Sequence, residues 1–97
     1  MNFNHSDRVL EIIDKLNHFM GEYIYPAEKI FKEQIDRDKD KVPQIIEDLK
    51  LKAKKQGLWN LFLPDSKLGM GLSNVEYAPL CEIMGRSLIA PEVFNCN

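Results

Sequence analysis

Apolar residues recur at helical spacing from the start of the chain. Val9, Ile12, Ile13, Leu16, Phe19, Met20 and Tyr23 form one stripe. Glu11, Asp14, Lys15, His18 and Glu22 occupy the opposite face, and Glu11 precedes Lys15 in the favourable i,i+4 order. Asn4 or Ser6 suits the N-cap, and Asp7 adds negative charge to the first turn. Pro26 removes the bond to the Glu22 carbonyl and crowds that turn. The stripe nevertheless continues through Ala27, Ile30 and Phe31, which predicts one kinked helix to about Gln34. At ~1.5 Å per residue it spans roughly 40 Å. Its far end has little of this chain to pack on.

The charged run KEQIDRDKDK predicts a solvated linker. Pro43 then opens a second helix over Pro43–Gln56, with Ile45, Ile46, Leu49 and Ala53 inward. Lysines at 50, 52, 54 and 55 favour its C-terminal end, and Gly57 suits the C′ position. Leu58 to Leu63 reads as a short extended run stopped by Pro64, with loop over 65–72. Ser73 and Glu76 form a capping box ahead of a third helix, whose face carries Tyr77, Leu80, Cys81, Met84 and Leu88. Pro79 implies either a start near Ala78 or a kinked first turn. Ala90-Pro91 ends that helix, and Pro91-Glu92 begins a fourth left incomplete. The fold class is all-α: a small bundle with a long Pro-kinked first helix, two further helices and the start of a fourth.

Composition narrows the function classes. The chain has 97 residues, 44% hydrophobic and 29% charged, with a net charge of −2. These values suit one globular domain, or part of one, and the absence of a basic patch argues against a nucleic-acid partner. No apolar run approaches the roughly 18 residues of a membrane span, and the first residues, MNFNHSDR, lack the pattern of a signal peptide or a transit peptide. Cys81 and Cys96 make no disulfide framework, so the expectation is a cytoplasmic protein with reduced thiols, the mitochondrial matrix being the alternative in a eukaryote.

Candidate chemistry is sparse. Asp36, Asp38, Asp40 and Glu47 fall at the ligand positions of a calcium loop, but Lys41 stands where glycine is needed and Pro43 lies inside the loop. Gly69-Met70-Gly71 precedes a helix without a surrounding βαβ unit, so these glycines serve a tight loop better than a phosphate. His5 and His18 read as surface residues, and Cys81 as a small core residue. Gly85, inside the third helix, costs ~1 kcal/mol relative to alanine and implies close approach of another backbone. Arg86 beside it is suited to a carboxylate or phosphate, or is simply a surface arginine. No catalytic, cofactor-binding or metal-binding residue can be assembled from these elements.

The joint pattern Gly57-Leu58, Leu63-Pro64, Gly69-x-Gly71-Leu72-Ser73 and Glu82-Ile83-x-Gly85-Arg86-Ser87 resembles the N-terminal helical domain of acyl-CoA dehydrogenases. Tyr25-Pro26-Ala27-Glu28 looks like that family's proline-kinked opening helix. The string GLWNLFLP…GLSNVEYAPLCEIMGRSLIAPEVFN is closest to a branch acting on long-chain acyl-CoA. The resemblance covers residues 8 to 97, with one departure at Leu68-Gly69, where a Gly-Gly pair is common. It implies FAD as cofactor, α,β-dehydrogenation of an acyl-CoA thioester, and electron transfer to an electron-transferring flavoprotein.

In that family the flavin-binding domain and the base glutamate follow this segment, so the resemblance implies a piece of a longer enzyme, inactive and flavin-free by itself. It also implies that Leu88, Val93 and Phe94 line the acyl pocket, against the competing reading of ordinary bundle packing. Trp59, Leu61 and Phe62 are expected to meet the missing domains. Apolar faces intended for those domains are expected to drive self-association. The rival reading is an independent helical interaction module.

Overall fold

A computed structural model describes residues 7–61 and 71–96. The caps Asn4 and Ser6, His5, Phe62, Leu63-Pro64 and the glycine loop before Gly71 lie outside the described residues. Among those described, all regular structure is helical: α1 (Asp7–Phe19), a π-helical turn (Met20–Ile24), α2 (Tyr25–Arg37), α3 (Gln44–Lys55), α4 (Asn74–Met84) and the single turn α5 (Ala90–Val93).

α1, the π turn and α2 form one continuous rod, and the π turn resolves the conflict raised by Pro26. The Tyr25 N–H donates to the Met20 carbonyl, five residues back. This wider turn stands immediately before the residue whose ring would press on the Glu22 carbonyl. The extra residue also advances the buried face. Ile24 is wholly buried and Tyr23 only partly, while Ile30, expected inside, is largely exposed. The rod runs to Arg37, three residues beyond the expected end, so residues 32–37 of the charged run are helical and the linker shortens to residues 38–43.

α3 lacks a capping side chain of its own, because its N-cap is Pro43. Gln34 of α2 fills the role: its Oε1 accepts the Ile45 N–H at 2.9 Å. The other end closes in a Schellman turn. Leu58 N–H donates to Ala53 O at 2.9 Å, and Gly57 N–H to Lys54 O at 3.2 Å. Gly57 sits at φ +74°, where a side chain is strained. Gly57→Ala is expected to destabilise the chain by about 1 kcal/mol, read as a lower thermal midpoint. An unchanged midpoint would mean that this turn relaxes freely. Leu58–Leu61 is a series of turns, not the extended run expected, with Asn60 at φ 61°.

α4 begins with the capping box. Ser73 Oγ accepts the Glu76 N–H at 3.2 Å, and Glu76 Oε1 accepts the Ser73 N–H at 3.0 Å. Pro79 is accommodated inside the helix. Its missing donor would have faced the carbonyl of Val75, in the exposed first turn, where that carbonyl is open to solvent. α4 ends at Met84, so Gly85 is its C-cap and not an interior residue. An added Cβ at Gly85 would meet its own preceding turn, the Cys81 carbonyl at 3.1 Å, and no other segment's backbone. The close approach expected there is absent.

The core joins the buried faces of α1, α3 and α4 to Leu58, Leu61, Ile89, Val93 and Phe94. Each fully buried large side chain contributes roughly 1.5–3 kcal/mol over exposure. α2 is different, since Ala27 is its only buried residue.

Candidate functional site

Among the described residues, an apolar concavity lies where the sparsely covered half of α2 meets the segment between α4 and α5. Phe31 and Ile35 form one wall, Leu88 and Ile89 the other, and Lys29 and Lys32 flank the rim. This groove encloses about 480 Å³. It continues past the same four apolar residues into a second hollow of about 240 Å³, reaching Val42 and Ile46.

A local hydrogen bond sets Leu88 outward. Ser87, buried, accepts the Ile89 N–H on its Oγ at 3.2 Å. That tight turn seats Ile89 in the core and leaves Leu88 94% exposed. An apolar side chain is held in water at the mouth of an apolar groove.

The other two pocket candidates sit beneath this surface. Val93 and Phe94 are both 0% exposed. Phe94 meets the Phe19 ring edge-on at a centroid separation of 5.3 Å, and its carbonyl accepts the Asn60 N–H at 3.0 Å. Thus the structure brings Leu88 to a groove and puts Val93 and Phe94 into the bundle. α5 is also closed, contrary to expectation. Asn95 adopts φ 57°, and Cys96 N–H donates to Pro91 O at 2.8 Å, repeating the Schellman pattern.

Lys50 ties α5 to α3 through Glu92 Oε1 at 2.8 Å, with Glu47 at 3.6 Å. The bond to Glu92 is the main cause that raises the Lys50 pKa, with burial opposing it. A raised lysine pKa stabilises the fold fully below the usual lysine range, and the gain fades as pH rises through the folded-state value. Glu92→Gln is therefore expected to cost under about 1 kcal/mol near neutrality. Urea midpoints of the two proteins should converge above the lysine range. A difference that persists there would assign the effect to packing.

The remaining candidates stand apart from the groove. Arg86 and Glu82 are exposed and 3.9 Å apart. Cys81 is exposed, not part of the core. Leu61 is wholly buried within this chain, so it is not left open for another domain, whereas Trp59 is half-buried with Lys54 Nζ 4.4 Å from its ring centroid. Asp36 belongs to α2 and Glu47 to α3, which separates the carboxylates aligned with a calcium loop. Two residues were missed by sequence reading. Ile35 is the next member of the α2 stripe and could have been found by extending it. Ile89 became a wall only through the turn at Ser87.

No buried side-chain nitrogen or oxygen among the described residues lacks a hydrogen-bond partner, and the groove joins apolar walls to a rim of Glu28, Lys29 and Lys32. No described helix is long and apolar enough to cross a membrane.

No family model matches the chain. Individual proteins do. Acyl-CoA dehydrogenase family member 10 of Mus musculus is 47% identical over 98 residues, covering 95% of this chain and 9% of that protein. Acyl-CoA dehydrogenase family member 11 of Homo sapiens is 44% identical over 92 residues, covering 90% of this chain and 11% of that protein. A solved structure from Mycobacterium abscessus, described as "a putative acyl-CoA dehydrogenase", superposes with a TM-score of 0.85 at 45% identity, over 97% of this chain and 26% of that one. The chain therefore spans a small part of each relative's length. Across nearly all of its own length, in sequence and in helical architecture, it is homologous to acyl-CoA dehydrogenases.

Proposed function

We propose that residues 1–97 form the N-terminal helical domain of a FAD-dependent acyl-CoA dehydrogenase. The parent reaction is α,β-dehydrogenation of an acyl-CoA thioester, with electrons passing to an electron-transferring flavoprotein. The observation that carries this reading is the superposition on the Mycobacterium abscessus chain at 45% identity. FAD supplies the hydride-accepting chemistry in the whole enzyme. The role of these residues is to bind and position. The exposed Leu88 contacts the acyl chain, while Val93 and Phe94 hold the Leu88 turn from beneath. The isolated chain is catalytically inactive and binds no flavin.

The groove is the face that the rest of the enzyme covers, and in the isolated chain a second copy takes its place. The reading is tested by replacement. This chain is substituted for its counterpart in the Mycobacterium abscessus protein, and dye reduction is assayed with acyl-CoA thioesters. Turnover comparable to the parent is expected. A chimera that folds and binds FAD but turns over no thioester would overturn the assignment.

A further inference from the structure

Two sulfur atoms are in contact beside α4, and a third sulfur residue lines the same cavity. Cys81 and Met84 are three residues apart on α4 and share a face. The closed turn after α5 returns Cys96 to that face, with its thiol Sγ 3.3 Å from the Met84 thioether Sδ. Cys81, Met84 and Cys96 line one cavity of about 160 Å³ together with Tyr77, Gly85 and Pro91. None of these six residues carries a formal charge at neutral pH, so no ammonium or guanidinium competes for the space.

We propose that Cys81, Met84 and Cys96 form a binding site for a soft monovalent cation of the Cu(I) type. The donor set selects the class of ion. Calcium and magnesium require carboxylate or carbonyl oxygens. Structural zinc takes four Cys or His ligands, and among the described residues no three His, Cys, Asp or Glu groups gather to hold a metal. Two thiols and a thioether are the soft donors that favour Cu(I). Cys81 is exposed, which provides an entry path.

Binding exchanges protons for metal: the cation bonds to sulfur, and each thiol that ligates as thiolate releases its proton to solvent.

The test uses Ag(I) as the probe, titrated into the reduced 97-residue chain without oxygen against a competing chelator. One equivalent is expected to bind, with a shift of the Met84 methyl resonance. Met84→Leu conserves volume and is expected to weaken binding by at least the roughly tenfold that even outer-shell changes cost. Cys81→Ser and Cys96→Ser should each weaken it further. Two independent equivalents, an unmoved Met84 methyl, or unchanged affinity in Met84→Leu would mean an adventitious ion only, and would overturn the site.

Discussion

Replacing Phe94 with alanine is expected to remove about 3–5 kcal/mol of folding free energy. Phe94 is among the largest wholly buried side chains, and its ring is packed edge-on against Phe19. The aromatic pair adds roughly 0.5–1.5 kcal/mol beyond the buried area. Neighbouring segments cannot collapse into the void cheaply. Phe19 is fixed by α1 and also meets the tilted Tyr23 ring at a centroid separation of 4.9 Å, while the Phe94 backbone is held by Asn60. A chain of this size has only about 5–15 kcal/mol in total, so the loss is a large fraction. Urea unfolding followed by circular dichroism measures it. Leu88→Ala, in the same segment but at the surface, should change stability by less than ~0.5 kcal/mol. A Phe94→Ala loss near that of Leu88→Ala would contradict the packing described.

The second large effect is on assembly. The isolated chain is expected to self-associate through the groove, where Leu88, Val42, Phe31 and Ile35 present contiguous hydrocarbon. Leu88 and Val42 are 94% and 64% exposed, and α2 beside them buries little within the chain. Contiguous exposed apolar surface beyond a few hundred Å² is uncommon on monomers and favours association. Leu88→Glu combined with Val42→Lys puts charge on both margins of that patch. The double variant should dissociate to monomer in sedimentation at concentrations where the parent associates, without loss of helix content. If the parent is already a monodisperse monomer at high concentration, the groove does not drive association.

Helix existence was legible because periodicity records which face is buried, and α1, α3 and α4 each keep one face inward. The π turn was not legible as such. Pro26 announced a conflict, but the sequence pattern alone does not say whether a helix breaks, kinks or widens. Its resolution by a wider turn moved Ile24 inward and Ile30 outward. Tertiary hydrogen bonds were also hidden. Gln34 looked like a helix end, yet it caps α3 from a neighbouring helix. Asn95 looked like part of an unfinished helix, yet its positive φ closes α5. The candidate site divides in the same way. Leu88, Val93 and Phe94 were named through the family resemblance, which places the acyl pocket along the segment after α4. Only the Ser87 turn separates Leu88 on the surface from two residues in the core.

The measurement that reaches the central claim most directly is the flavin content of the Mycobacterium abscessus chimera carrying this chain. If these residues are the N-terminal helical domain of a flavin-dependent acyl-CoA dehydrogenase, the purified chimera holds one FAD per protomer, and bound flavin bleaches when acyl-CoA is added. A chimera that is folded and soluble but purifies without flavin, while the parent retains it, would contradict the account.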